Sequence, residues 1–562
     1  MTTPPTTIPA VGAVGAEDAV GPSPVAADVI PFRLRIGMTG HRLLPDDSAL
    51  AARVDDAVRR IRALAPSSPH TPLYLAAVSP LAEGADRLVA ARALADEGAT
   101  LEVALPLPRD DYMDDFATAE SRQEFDSLLA RASEVVTLPP GETRDEAYER
   151  VGRYIVDHSD VMIALWDGAA ARGRGGTADI VAYARERDVP LFWIHTEAPY
   201  VLCEERGEGI AAATFAALDA YNRARLAGRG LDRATAQARR QEHELSVQSA
   251  RAGLGAPFMQ SYCAWILPHH VRADVLAQRY QALFYVLGDA LFYLGAAAVA
   301  VAGISAVVGE GLQGSARWIL PGLEIVLMLL VLLALLAGRR LRLHERWLAY
   351  RFLAERFRSG LILAPALPPG PRAGGVDGSR AADEAERWLG RAYDEVWRRR
   401  PQPSETEIPL DGLKALLVSA WIEDQARYQR KAARRNERRH RRSAGLTAAI
   451  FALTLAAAVA HGLGARGTVA GVPLNGAPIF LSIALPALAA AVAAIGVQRE
   501  YPRNAHRARQ MARDLEEVGR RLTRATSLEG VREIAQEAER VMLAENRDWF
   551  VVMRFHDFEL HV

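Results

Sequence analysis

The sequence contains few cysteines and no surplus of charge of either sign. Only two cysteines, Cys203 and Cys263, occur in 562 residues, and their spacing fits neither a zinc site nor a disulfide framework. The net charge of −1, from 67 basic and 68 acidic residues, argues against a dedicated nucleic-acid-binding protein. We therefore expect no bound metal, no other cofactor and no nucleic-acid partner.

The composition of the N-terminus also predicts no secretion signal. Residues 1–30 are rich in Pro, Thr, Ala and Val, and no basic segment leads into a continuous apolar core. This composition is typical of a disordered leader.

Long apolar runs are present in the second half of the chain. They occur as two pairs, 282–308 with 318–337 and 444–463 with 479–497. Because roughly 20 apolar residues cover a hydrocarbon core of about 30 Å, each run is long enough to span a membrane. The alternative is a set of buried core helices in a large soluble protein. We predict an all-α transmembrane region with four spanning helices in two hairpins.

Basic residues flank these pairs and are scarce inside them. They are Arg339, Arg340 and Arg342 after the first pair, Arg430, Lys431, Arg434, Arg435, Arg438, Arg439, Arg441 and Arg442 before the second, and Arg499, Arg503, Arg507 and Arg509 after it. The positive-inside rule then predicts a multi-pass inner-membrane protein with both termini in the cytosol. The arginine run before the second pair is also compatible with an anionic-lipid contact or a nucleic-acid patch.

The N-terminal third alternates β-prone and helical segments. Apolar strands are predicted at 32–36, 73–78, 101–105, 161–166 and 191–194, and three of them run into loops of small residues that open helices. This order predicts an α/β domain with a Rossmann-like, doubly wound parallel sheet. Its ligands are expected at the carboxyl ends of the strands.

The three loops supply the candidate ligand-binding residues. These are Gly37, Thr39, Gly40, His41 and Arg42 in the first loop, Ser79, Glu83, Gly84 and Asp86 in the second, and Asp167, Gly175, Gly176, Thr177 and Asp179 in the third. Glycines allow close backbone approach, and amides at a helix start can hold a phosphate. Each loop alone is equally compatible with an ordinary tight turn, and Arg42 with a surface ion pair. Three such loops on one sheet favour a shared crevice.

Three segments together resemble the SLOG superfamily over about residues 30–198. They are Gly37-Met38-Thr39-Gly40-His41-Arg42, Ser79-Pro80-Leu81-Ala82-Glu83-Gly84-Ala85-Asp86 and Gly175-Gly176-Thr177. Members of that superfamily are Rossmann-like domains that are known or inferred to bind nucleotides and nucleotide-derived signals. The resemblance implies a nucleotide or NAD-derived small molecule as the partner of this domain.

The membrane half resembles the SLATT effectors in two stretches. These are His344-Glu345-Arg346-Trp347-Leu348-Ala349-Tyr350-Arg351 after the first pair, and Trp421-Ile422-Glu423-Asp424-Gln425-Ala426-Arg427-Tyr428 with Lys431 before the second. SLATT effectors are helical hairpins that accompany nucleotide sensors in bacterial conflict systems and are thought to form pores. The resemblance implies a homo-oligomeric, pore-forming effector of antiviral defence whose partner is the lipid bilayer.

Whether the α/β domain is an enzyme stays open from the sequence. Related cytokinin-activating enzymes carry Pro-Gly-Gly-x-Gly-Thr-x-x-Glu, whereas Arg174-Gly175-Gly176-Thr177-Ala178-Asp179 lacks the proline, one glycine spacing and the glutamate. If the domain is catalytic, Glu83, Asp86 and Asp179 are the candidate acid–base residues. The rival hypotheses are a membrane-anchored nucleotide or nucleoside hydrolase and a plain structural scaffold.

Inside the predicted spans, Asp289, Glu324 and Pro486 are candidate pore residues. A carboxylate buried in lipid is costly, so it either serves function or reaches toward the interface. Acids from several subunits could form a ring that favours cations, and the proline could bend its helix.

The chain is expected to divide into seven segments. They are a disordered leader (1–30), a SLOG-like sensor domain (31–198), a helical connector (199–280), a first transmembrane hairpin with a helix beyond it (281–360), a flexible linker (361–380), a second, SLATT-like hairpin (381–545) and a C-terminal tail (546–562). The charged helices near 350–358 and 511–524 are expected to be either oligomerisation coils or solvated helices.

Overall fold

A computed structural model describes residues 29–554 except for short gaps. The gaps are 140, 172, 208, 309–313, 368–383, 402–407, 465–467, 470–471 and 474–475. The predicted leader up to residue 28, most of the predicted linker and the last eight residues of the predicted tail (555–562) lie outside the described residues.

The N-terminal part of the described chain contains a seven-stranded sheet. Its strands are β1 (Phe32–Gly40), β2 (Leu73–Ser79), β3 (Thr100–Leu105), β4 (Glu134–Thr137), β5 (Val161–Trp166), β6 (Leu191–His195) and β7 (Leu202–Glu205). The spatial order is β4-β3-β2-β1-β5-β6-β7, and only β7 runs antiparallel to its neighbour. The predicted doubly wound parallel sheet is confirmed, and β4 and β7 extend it beyond the predicted strands.

Helices cover both faces of this sheet, and for this reason residues on both sides of its central strands are buried. The helices are α1 (Ser48–Leu64), α2 (Ala85–Ala93), α3 (Arg109–Met113), α4 (Ala119–Ala130), α5 (Arg144–His158) and α6 (Thr177–Glu186). In β5, the consecutive residues from Val161 to Leu165 are all buried, so both faces of this strand are covered. The strand order reverses between β1 and β5, because β1 pairs with β2 on one side and β5 on the other. Ligands of such sheets bind at this reversal.

The rest of the described chain is mostly helical. After α7 (Ala212–Arg223) and α8 (Arg229–Arg251), its α-helices are α9 (Gln260–Val308), α10 (Ile319–Leu341), α11 (Leu343–Leu363), α12 (Glu384–Trp397), α13 (Leu410–Leu416), α14 (Glu423–Gly462), α15 (Ala477–Gln498), α16 (Tyr501–Arg524) and α17 (Leu528–Arg554). A π-helical turn, Leu417–Ile422, joins α13 to α14. The short strands β8 (Thr468–Val469) and β9 (Val472–Pro473) lie between α14 and α15.

Among the described residues, four helical segments are long and apolar enough to cross a membrane. They contain the four runs predicted from the sequence, except for Leu463 at the end of the third run. The helices α9 and α14 continue well before the start of their apolar runs. In α9, 49 residues form one helix. Its first half therefore lies in the extramembrane part of the protein, and its second half lies in the first hairpin.

The two hairpins pack together through α9 and α15. Glycines mark this contact. A Cβ at Gly303 would lie 3.3 Å from Ile483 Cγ2, and one at Gly476 would lie 2.1 Å from Val307 Cγ1. Helices in a bilayer associate by close packing rather than by the hydrophobic effect, and small residues permit that approach.

The helix α11 is buried along nearly its whole length, in contrast to the solvated helix that its charge pattern allows. Tyr350, Arg356 and Phe357 are at most 2% exposed. The predicted linker also begins later than expected, since Ala364 and Leu367 are buried at the end of this helix. The helix α11 packs against α9, α12 and α17 and so forms the centre of the extramembrane helical core.

Candidate functional site

A crevice of about 400 Å³ opens at the carboxyl ends of β1, β2 and β5. It lies at the reversal of strand order, where the sequence predicted a ligand site. Of the predicted residues, Thr39, Gly40, His41, Arg42, Asp86, Asp167, Gly175, Gly176 and Thr177 line it. The structure thus brings together residues of all three loops.

The end of β1 forms one wall of the crevice. Gly40 fits closely there, because a Cβ would lie 2.4 Å from the Ala85 Cβ and 2.7 Å from a backbone oxygen. His41 Nε2 lies 3.1 Å from the backbone nitrogen of Asp167 and 3.2 Å from its carboxylate. This contact joins the end of β1 to the end of β5 at the crevice.

Arg42 supplies positive charge to the crevice. Its guanidinium lies 5.5 Å from the ring centroid of Tyr148, and its side chain is exposed. Within the part of the chain that the structure describes, no carboxylate forms an ion pair with it. A guanidinium with free donors and an aromatic ring beside it is suited to a phosphate or a planar base.

The loop between β5 and α6 forms the opposite wall. Gly175 has a φ of +77°, and a Cβ there would come within 2.6 Å of the Glu149 backbone nitrogen, so this position requires glycine. Gly176 precedes the first turn of α6 without a side-chain cap. The amides at the start of the helix therefore remain available for an anion, and Thr177 adds a hydroxyl beside them.

Asp86 lies at the inner end of the crevice and is only 6% exposed. Burial raises the pKa of its carboxyl to about 8, against smaller opposing effects of an Ala82 backbone hydrogen bond, Arg42 and Arg87. Its Oδ1 is buried without a hydrogen-bond partner among the described residues. A neutral carboxyl at pH 7 both donates and accepts a hydrogen bond, and it does not repel an anion.

Other predicted residues support the loops from outside the crevice. Gly37 is enclosed by the core, since a Cβ would lie 2.3 Å from Ser159 Oγ. Ser79 Oγ accepts a hydrogen bond from the Leu81 backbone N–H at 3.0 Å. Gly84 has a φ of +78° and packs under the Arg42 backbone oxygen. These three residues shape the turns and do not line the crevice.

Two of the three candidate catalytic acids also serve the loops. Glu83 accepts a short hydrogen bond from the Ser121 hydroxyl, and Asp179 Oδ2 accepts one from the Gly175 backbone N–H at 3.1 Å. Neither lines the crevice. Asp86 is the one of the three that does, so the crevice does not bring together a pair of the predicted catalytic acids.

Several lining residues were not predicted. Tyr112 comes from α3, and Tyr148 and Gly152 come from α5. Arg174 also lines the crevice but pairs with Glu146 at 3.0 Å and with Glu149. The segment that carries both tyrosines has no glycine-rich loop, so no sequence signal placed it at the site.

At the opposite edge of the sheet, ion pairs bind the α/β domain to α12. Arg391 Nη1 lies 2.6 Å from Asp160 Oδ2, with side chains 7% and 3% exposed. Arg33 Nε lies 2.6 Å from Glu395 Oε2, and Arg398 pairs with Glu102. We call these three pairs the α12 ion-pair cluster. Arg33 and Glu102 lie within the first three residues of β1 and β3, and Asp160 lies just before β5.

Burial and opposite charges set the ionisation of this cluster. Although burial opposes ionisation of Glu102, Arg35 and Arg398 outweigh it and lower the pKa of that carboxyl. Burial raises the pKa of the neighbouring Glu134, and the charge of Glu102 raises it further. One carboxylate is thus firmly ionised between two guanidiniums.

The three predicted pore residues, Asp289, Glu324 and Pro486, lie in different surroundings. Both carboxylate oxygens of Asp289 accept hydrogen bonds from Arg499 at 2.7 Å, and the Arg499 guanidinium lies 3.6 Å from the Tyr285 ring centroid. Asp289 therefore joins the first hairpin to the end of α15. Glu324 lies partly exposed in α10, and α15 continues as a helix through Pro486.

The comparisons with known proteins bear on the second hairpin. Residues 418–549 match the family model described as SMODS and SLOG-associating 2TM effector domain 1. No curated protein matches the chain. The match covers all of α14, α15 and α16 and most of α17, and this part of the resemblance seen in the sequence is confirmed. Residues 418–549 are therefore similar to the SMODS and SLOG-associating 2TM effector domains, and the similarity covers this part of the chain alone.

Proposed function

We propose that the protein is a ligand-gated membrane effector of bacterial defence. In this proposal a nucleotide-derived signal binds the crevice of a SLOG-like α/β domain. Its binding changes the arrangement of the membrane helices in a homo-oligomer, which then opens a pore. Both termini lie on the basic, cytosolic side of the inner membrane.

The observation that carries the ligand proposal is the composition of the crevice. An uncapped helix start with Thr177, the unpaired Arg42 and the neutral Asp86 converge on one cavity of about 400 Å³. Helix starts and arginines favour phosphate, and a neutral carboxyl suits the hydrogen-bonding edge of a base. A volume of this size fits a small ligand.

The sheet offers a direct connection from this crevice to the membrane helices. The strand β5 begins just after Asp160, which binds Arg391 of α12, and ends beside Asp167 of the crevice. The helix α12 packs on α11, and α11 packs on α9. A ligand that binds one arrangement of β1 and β5 better than another shifts the population of all these elements.

The test is dye leakage from liposomes that contain the full-length protein, with cyclic nucleotides and NAD-derived molecules added one at a time. We expect one class of ligand to cause leakage. Arg42→Ala should weaken its action about 10–100-fold, the usual effect of a lost charged hydrogen bond. The matched control is Arg59→Ala, since Arg59 is exposed on α1 and pairs only with Asp56 among the described residues.

Two outcomes would reject the proposal. If the protein causes leakage that no ligand changes, the α/β domain is not a sensor for these ligands. If a ligand is consumed without leakage, the protein is a membrane-anchored hydrolase rather than a pore. Gly40 is a poor choice for this test, because any side chain there would strike Ala85 and the β5 backbone. A variant at that position would report on folding rather than on binding.

A further inference from the structure

A second cavity lies on the membrane part of the protein, far in sequence from the crevice. It is a groove of about 660 Å³ between α14, α15 and the start of α16. From α14, Ser443, Ala444, Thr447, Ala448 and Phe451 line it, and Ala493 and Gly496 line it from α15. We call this cavity the α14–α15 groove.

Small side chains create the α14–α15 groove. Ala444, Ala448 and Ala493 are exposed, so they leave a depression where larger residues would fill the surface. Below it the helices are in close contact, because a Cβ at Gly496 would lie 3.0 Å from Ser443 Oγ. The groove therefore has a closed floor and an open side that faces the surroundings of the hairpin.

The two ends of the groove differ in chemistry. His440 and Arg503 line one end, and Phe451, 66% exposed, lines the other. From His440 to Phe451 the helix rises about 16 Å at 1.5 Å per residue. Half of a hydrocarbon core of about 30 Å has nearly the same depth. The groove thus runs from the polar interface into one leaflet.

The polar end carries a strong excess of positive charge. Arg434, Arg435, Arg438, Arg439, Arg441 and Arg442 are all exposed there, and no described carboxylate forms an ion pair with any of them. One acid lines the groove itself: Glu500, whose carboxylate lies 3.0 Å from Arg503. Even with that acid, the local field favours an anionic headgroup.

We propose that the α14–α15 groove binds an anionic phospholipid. One acyl chain lies along Ala444, Ala448 and Phe451, and the phosphate lies beside His440 and Arg503. Apolar contact holds the chain, and the charge of the headgroup is selected at the polar end by His440 and Arg503 together with the exposed arginines next to His440 in the sequence, Arg439, Arg441 and Arg442. This inference needs neither a ligand in the crevice nor a pore.

Lipid binding to the detergent-purified, full-length protein can be measured by native mass spectrometry. The probes are phosphatidylglycerol and phosphatidylcholine with matched chains. We expect the anionic lipid to bind more tightly, by about fivefold for each basic residue that contacts it. Equal binding of both lipids would overturn the proposed charge selection.

Two pairs of variants separate a built groove from diffuse attraction. Ala448→Trp fills the groove and should weaken binding about tenfold, the effect of displacing two methylene groups from apolar contact. Leu446→Trp, on an exposed position of the same helix outside the groove, is its control. His440→Gln with Arg503→Gln should weaken phosphatidylglycerol binding. Its control, Arg434→Gln with Arg435→Gln, removes two charges from a more distant position and should weaken binding less.

The variants, together with inorganic phosphate as a competitor, show what occupies the α14–α15 groove. Equal losses for the groove variants and their controls would mean a nonspecific surface attraction. Displacement of the lipid by inorganic phosphate would mean that the acyl chain contributes nothing. A change of oligomeric state in Ala448→Trp without a change in lipid binding would assign the groove to a second copy of the chain. The charge variants leave the helix contact intact, so they test the proposal even if Ala448→Trp fails to fold.

Discussion

Removal of the Asp160 carboxylate should weaken the attachment of the α/β domain to the helical core. Asp160 lies 2.6 Å from Arg391 and also accepts the Arg35 backbone N–H at 2.9 Å. Within the described part of the chain, Arg391 Nε and Nη2 have no hydrogen-bond partner. In Asp160→Ala the guanidinium would therefore be buried beside the Phe32 ring with no ionised partner in contact.

The expected loss is about 3–5 kcal/mol, because breaking a buried ion pair from one side leaves an uncompensated charge. Both side chains are less than a tenth exposed, so solvent screening reduces this value little. For a domain of this size, such a loss lowers the melting temperature by roughly 10 °C. Thermal unfolding in detergent, followed by tryptophan fluorescence, measures the change.

A double-mutant cycle isolates the pair from the loss of the Arg35 contact. Asp160→Ala with Arg391→Leu removes both charges, and we expect the double variant to be more stable than Asp160→Ala alone. If the two substitutions are additive within about 0.5 kcal/mol, the two side chains do not interact in the folded protein. Additivity would refute the view that this pair holds α12 to the sheet.

Three further variants test single features. The Asp86→Asn variant should have a higher melting temperature than the wild type, and the difference should grow from pH 4 to pH 8. In this range the folded wild type keeps Asp86 protonated, with a pKa of about 8, whereas the unfolded chain is ionised, so the wild type loses about 1.4 kcal/mol of stability per pH unit. A difference independent of pH would contradict this. Asp289→Arg should destabilise the hairpins by about 1–3 kcal/mol, and Arg499→Asp in the same chain should restore them, as measured by thermal unfolding in detergent. Gly303→Leu should force α9 from α15 at a cost of about 1–3 kcal/mol, whereas Gly295→Leu, with open space around its Cβ, should be neutral in the same assay.

The strands and the spans could be predicted from the sequence because each depends on a local pattern. A parallel strand covered on both faces is apolar throughout, as in β5, and a spanning helix needs only enough apolar length. The loops after β1 and β5 were also predictable, since glycines mark them. All of these signals lie within about twenty consecutive residues.

The remaining features depend on contacts between distant parts of the chain. Arg33 and Glu395 are 362 residues apart, and each resembles an ordinary surface charge in its own segment. The contribution of Tyr112 and Tyr148 to the crevice depends on how α3 and α5 cross the sheet. The pairing of Asp289 with Arg499 depends on the packing of one hairpin against the other. A single sequence carries no sign of such partners.

The Asp289–Arg499 pair restricts how a pore could open. While Arg499 holds Asp289, this carboxylate is not available to a ring of acids that attracts cations. The helix α9 carries Asp289 and spans about 70 Å, at 1.5 Å for each of its 49 residues. Its extramembrane half is held by α11, where Arg351 lies 3.2 Å from Asp274. Because α9 is one continuous helix, a shift of α11 therefore moves both of its halves together. A rotation of α9 that frees Asp289 must first break the ion pair with Arg499 at the end of α15. In the proposed mechanism, breaking the Asp289–Arg499 ion pair is the step that converts a movement of the α/β domain into a rearrangement of the membrane helices.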